Sequence, residues 1–125
     1  MSVDQSEHRA PEGDEPLDRR RAGSERLVAF GRGMLGLVDA HRDLLLAAET
    51  GAPCGRFRAG PYASYRFFVS SLLREALPDL DAEYTADALL AGLSAELVAY
   101  LREDHEMPLE RLAAGFEQVV RTLVR

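Results

Sequence analysis

Residues 81 to 125 hold two consecutive helical patterns, DAEYTADALLAGLSAELVAYLRED and PLERLAAGFEQVVRTLVR, that carry more apolar surface than one small core absorbs. In the first, Leu89, Leu90, Leu93, Leu97, Tyr100 and Leu101 keep the i, i+3, i+4, i+7 rhythm, while Ala91, Ala95 and Val98 open a second flank. In the second, Leu109, Leu112, Ala113, Phe116, Val119, Val120, Leu123 and Val124 form one wide stripe. A helix that is apolar on two faces has a second partner to find. The pattern therefore predicts a homodimer, with Leu90, Leu93, Leu97, Tyr100, Leu112, Phe116, Val119 and Leu123 at its interface. Pairing across a two-fold axis requires such a self-complementary strip.

The rest of the chain reads as helix as well. Residues 1–23 contain ten charged residues with Pro11, Gly13, Pro16 and Gly23 and almost no large apolar side chain, which predicts a disordered charged tail. Asp14, Glu15 and Asp18 offset the Arg19, Arg20, Arg21 run within it. The folded body is expected over residues 24–125, opening with Ser24 as an N-cap and a helix carrying Leu27, Phe30, Met34, Leu37 and Val38. Gly31, Gly33 and Gly36 each cost that helix on the order of 0.8 to 1 kcal/mol relative to Ala. Close helix packing, a bend, or room for a small molecule would each account for them. Asp39 is placed to cap a short helix, HRDLLLAAET, with Leu44, Leu45, Ala47 and Ala48 inward and Gly51 as its stop. The segment GAPCGRFRAGP is the long internal loop, and Pro61 begins the helix YASYRFFVSSLLREAL. Leu77 and Pro78 end it, Asp79 or Asp81 starts the next, and Met107 and Pro108 mark the turn into the last. No repeat and no alternating strand pattern occurs, so the expected fold is all-α with about five helices in one domain.

Composition excludes several functions. The net charge is −6, and no basic run lies on a helix face, so the chain alone is not expected to bind DNA through its phosphates. No apolar run approaches the roughly 20 residues that span a bilayer, and no secretory leader is legible, so a soluble cytoplasmic protein is expected. Cys54, the only cysteine, fits a reducing compartment and a simple packing role. There is no phosphate loop, nucleophile elbow, CxxC or HExxH spacing, so neither an enzyme nor a cofactor is expected. His41 beside Asp39 and Asp43, and His105 beside Asp104 and Glu106, resemble metal sites only superficially. Neighbouring residues on a helix diverge and do not converge on one ion.

The aromatics carry more information. Phe30, Phe57, Tyr62, Tyr65, Phe67 and Phe68 come from the first helix, the internal loop and the helix after it. They form either plain core or the lining of an apolar cavity, with Tyr62 and Tyr65 hydroxyls, Arg58 and His41 as polar tips. On the second reading the pocket residues are Phe30, Met34, Arg58, Tyr62, Tyr65 and Phe68, and the ligand is small and apolar or amphipathic. Arg56, Phe57 and Arg58, an aromatic between two cations, suit an anionic group at the pocket mouth or a solvated loop.

The succession LVAFGRGMLGLVDAHRDLLLAAE, a variable loop, YASYRFFVSSLLREAL, then the two C-terminal patterns resembles the C-terminal regulatory domain of tetracycline-repressor (TetR) family transcriptional regulators. The likeness covers roughly residues 24–125 and is strongest at Ala86, Asp87, Ala88, Leu89, Leu90, Ala91, Gly92 and Leu93. It implies an effector-binding and dimerisation domain whose last two helices form a four-helix bundle with those of a second subunit. It also implies an effector cavity among the preceding helices. The helix-turn-helix that precedes such domains has no counterpart in residues 1–23, which suggests a fragment or a stand-alone form without its own DNA-reading head. The alternative from a different class is a helical protein–protein interaction module with no small-molecule ligand.

Overall fold

The structure is a computed structural model describing residues 15–58 and 60–125; these residues are all-α, with no strand among them. Its helices are α1 (Glu15–Ala40), α2 (Arg42–Thr50), the single turn α3 (Gly55–Arg58), α4 (Gly60–Ala76), α5 (Ala82–Ala91), α6 (Ala95–Ala99) and α7 (Leu109–Leu123). A π-helical turn, Tyr100–Asp104, continues α6. Five of these helices have nine or more residues, in agreement with the periodicity.

α1 is the axis of the fold. At about 1.5 Å per residue its 26 residues reach roughly 39 Å. α4, α6 and α7 pack against it, α5 packs on α4, and α2 packs on α6. The deepest side chains are Leu27 and Leu35 of α1, Val69 and Leu73 of α4, Leu90 of α5, Val98 of α6 and Val120 of α7. One core thus draws on every long helix except α2, which contributes only the half-buried Leu45 and Leu46.

Several boundaries differ from those expected. α1 starts at Glu15, so residues 15–23 are helical, while the rest of the expected tail lies outside the described residues. Ser24 is not a cap. It lies buried inside α1 next to Gly23, where a Cβ would stand 3.0 Å from that of Ala76. Small residues there let α1 and α4 approach, and that tertiary contact outweighs the local signals that end a helix. Asp39 does not cap α2, whose N-cap is His41 without a side-chain bond; the Asp39 carboxylate instead accepts from Arg102 at 2.9 Å and pairs with Arg42 at 3.4 Å. Leu44, Ala47 and Ala48 of α2 are exposed rather than in the core, Ala48 bordering the cavity described below. The internal loop is shorter than expected because Gly55–Arg58 forms a helical turn. Cys54 in that loop is exposed, not packed, and adopts a left-handed φ of 57°.

The single helix expected over 81–104 is three pieces. Asp81, one of the two expected caps, accepts from the Tyr84 amide at 3.1 Å and starts α5. Gly92 and Leu93 end it, and Ser94 caps α6 by accepting from Leu97 at 3.2 Å. The break re-aims the chain, so Ala95 and Val98 are completely buried while Leu97 and Tyr100 are not. The connection to α7 is clamped by Arg102, which donates to the Met107 carbonyl at 2.9 Å while holding Asp39.

Candidate ligand cavity and apolar groove

A cavity of about 180 Å³ lies among α1, α2, α3, α4 and α5. Met34, Leu37 and Val38 supply one wall, Leu45 and Ala48 a second, Pro61, Tyr62 and Tyr65 a third, and Leu90 and Leu93 the floor. The residues contributing polar groups at its edge are Glu49 and Arg56. An apolar lining with a few convergent polar groups is the usual make-up of a small-molecule site.

Each polar group at this edge is held by a defined set of partners. Glu49, at the end of α2, accepts from the Ala95 and Glu96 amides at 2.8 and 3.1 Å, capping α6 from 46 residues away. Arg56 Nε pairs with Glu49 at 3.6 Å, its Nη2 donates to the Leu90 carbonyl, and its guanidinium lies 5.1 Å over the Tyr62 ring. The Arg56 Nη1 is buried without a partner. The Tyr62 hydroxyl donates to Asp87 at 2.6 Å, and Asp87 also accepts from Arg66 Nε at 2.9 Å. Burial first, then the bond to Asp87, pushes the Tyr62 hydroxyl up to about 12. The Arg66 hydrogen bond holds the Asp87 carboxyl below its ordinary value against the opposing effect of burial.

Of the pocket residues named from the sequence, Met34, Tyr62 and Tyr65 line the cavity. Phe30 and Phe68 do not. They form an adjoining aromatic cluster with each other at 5.3 Å, and Phe30 meets Tyr65 edge-on at 5.8 Å. Arg58, the last residue of α3, is exposed and outside the cavity, and Arg56 lines it instead. The Tyr62 hydroxyl is committed to Asp87 and is not a free polar tip, and His41 sits exposed at the α1–α2 junction. Glu49 and Asp87 carry no site signal in the sequence because their roles arise from contacts distant along the chain, and Arg56 stands out there only as one of the two cations flanking Phe57. Among the described residues no three His, Cys, Asp or Glu side chains gather as a metal site, and His105 Nε2 lies 2.8 Å from the Tyr100 hydroxyl.

The expected dimer strip divides. Leu90 and Leu93 are buried and line the cavity, whereas Leu112, also buried, lies at the bottom of the groove beside α7 described below. Phe116 and Leu123 are half-buried, whereas Leu97, Tyr100 and Val119 are exposed. Phe116 and Val119 belong to an apolar groove of about 400 Å³ between α5 and α7, shared with Ala88, Leu89, Gly92, Leu101 and Gly115 and edged by Arg111. On the opposite flank of α7, Arg32 of α1 reaches Glu110 and Glu117 at 3.0 Å each. The fold and these features define an all-α protein with an interhelical cavity and an open apolar groove beside its last helix. No family model matches the sequence, and no curated protein or solved structure matches it either. No helix among the described residues is long and apolar enough to cross a membrane.

Proposed function

We propose that this chain is a small-molecule-sensing and dimerisation domain acting in transcriptional regulation, of the kind its sequence resembles in the tetracycline-repressor family. The observation that carries the reading is the position of Glu49 and Leu90, which border the cavity and also tie it to the C-terminal helices: Glu49 caps α6, and the Leu90 carbonyl receives Arg56. A ligand that prefers one arrangement of these groups shifts α6, and through Arg102 and Asp39 the turn leading to α7. The α5–α7 groove is then the surface for a second copy, with Val119 and Phe116 at its centre.

Two measurements test this reading. A ligand present at 100 times its dissociation constant adds about 2.7 kcal/mol, so a thermal-shift screen of small apolar compounds should find a stabiliser, and Met34→Trp should abolish its effect by filling the cavity. Mass measurement in solution should find a dimer that Val119→Arg converts to monomer. Substituting Phe116 and Val120 together is less informative, since Val120 is fully buried and Phe116 also packs against Gly31 of α1 within the subunit. A monomer that binds no compound from such a screen sinks the proposal and favours capture of a different protein in the groove.

A further inference from the structure

The make-up of the cavity narrows what it accepts, taking the cavity as the ligand site proposed above. Its volume, about 180 Å³, is close to that of an apolar cavity of about 150 Å³ that stays dry and holds benzene. Met34, Leu45, Leu90 and the Tyr62 ring line it with carbon. The lining residues that reach the surface, Leu37, Ala48 and Pro61, are apolar as well, so the mouth offers no side-chain hydrogen bond.

The polar side chains at its edge already serve the protein. Glu49 accepts from the Ala95 and Glu96 amides and pairs with Arg56. Arg56 also donates to the Leu90 carbonyl, and its remaining nitrogen, Nη1, is buried beyond the reach of a ligand. The Tyr62 hydroxyl donates to Asp87. The Tyr65 hydroxyl has no partner among the described residues but is open to water, so a ligand bonding to it exchanges one bond for another of the same kind. A hydroxyl or carbonyl carried into this space thus gives up its own water for little return, and at the mouth it keeps its water and gains nothing from the protein. A carboxylate would in addition face Glu49, and like charges disfavour each other's ionised form. We infer that the cavity recognises a small hydrocarbon, about one ring with a short branch, by shape and apolar contact and without a hydrogen bond to the protein.

The α5–α7 groove is apolar too, and two methionines report on the two places separately: Met34 lines the cavity and Met107 the groove. With ¹³C-methyl methionine in the full chain, isopropylbenzene should shift the Met34 methyl signal and leave that of Met107 in place. Titrations of the same signal at pH 7 then compare three probes of nearly equal shape: isopropylbenzene, 1-phenylethanol, in which a hydroxyl replaces one methyl, and benzoate. Isopropylbenzene should bind about tenfold tighter than 1-phenylethanol, the weight of taking one hydroxyl out of water without a partner, and benzoate should be the weakest. Binding of 1-phenylethanol as tight as that of isopropylbenzene, or tighter, overturns the hydrocarbon class while leaving the cavity as a ligand site. Tightest binding by benzoate overturns it in the same way. If none of the three moves the Met34 signal, the ligand-site reading itself falls.

Discussion

Gly31 offers the sharpest test of how α7 is seated on α1. A Cβ built at Gly31 would stand 2.1 Å from the Phe116 ring, far inside the 3.4 Å at which ordinary contact begins. To relieve the clash the Phe116 ring must turn toward the groove that it lines, or α1 and α7 must part and stretch the bonds from Arg32 to Glu110 and Glu117, now 3.0 Å each. Forcing extra volume into such a contact costs about 1 to 3 kcal/mol, against which Ala regains about 0.8 to 1 kcal/mol of helix propensity. Gly31→Ala should therefore be destabilising by up to about 2 kcal/mol, lowering Tm by roughly 4 °C for each kcal/mol. Gly33 and Gly36 are the internal controls, since nothing lies within 4 Å of a Cβ at either. Their Ala variants should each gain about 1 kcal/mol and raise Tm by about 4 °C. Circular dichroism at 222 nm during thermal and urea unfolding measures all three. In a Gly33→Ala/Gly36→Ala background, which has stability to spare, adding Phe116→Ala should turn the effect of Gly31→Ala from loss to gain. If Gly31→Ala raises Tm as the other two do, with Phe116 in place, the close seating of α7 on α1 is wrong.

Asp87, held below its ordinary value chiefly by Arg66, contributes stability that is present above the unfolded carboxylate pKa of about 3.9 and is lost as pH falls through its lower folded value. Urea unfolding should show Asp87→Asn weaker than wild type at pH 7, with the gap closing below about pH 4; a gap independent of pH would contradict the Arg66 pairing. Tyr62 works in the opposite direction: its neutral form is favoured in the fold, so its contribution is intact below about pH 10 and disappears as pH rises towards about 12. Absorbance titration of the four tyrosines should show one ionising late, and Tyr62→Phe should remove that step. Asp39→Ala leaves Arg102, itself only 28% exposed, without its carboxylate and should cost about 1 to 3 kcal/mol in chemical denaturation, with Asp39→Asn milder. An unchanged midpoint for Asp39→Ala would mean that the turn before α7 is held by other contacts.

The glycine triad illustrates how far a sequence can be read. Three glycines in one helix required compensation, and packing was one of three explanations left open. The structure supplies packing at Gly31 alone, through a ring 85 residues away in the chain. The cavity was legible in the same partial way. Aromatics at helical spacing brought Met34, Tyr62 and Tyr65 into view, while Phe30 and Phe68 share that spacing yet turn to a neighbouring cluster. Arg58 was the natural basic candidate beside Arg56, and only the direction of a four-residue helical turn distinguishes them.

What the sequence determined by itself is whatever depends on neighbours within a turn or two: the all-α class, the presence of the long helices, a cap at either Asp79 or Asp81, and an excess of apolar surface at the C-terminal end. These follow from a repeat of 3.6 residues and from local hydrogen bonding. Only the tertiary structure decided where that excess goes. The break at Gly92 to Ser94 rotates the chain so that Leu90 and Leu93 serve the cavity, Val98 the core and Val119 the outer groove. The links that set this arrangement join Asp39 to Arg102, Glu49 to Ala95 and Gly31 to Phe116. Periodicity reveals that a residue has an apolar face, whereas which neighbour covers it depends on contacts between segments tens of residues apart.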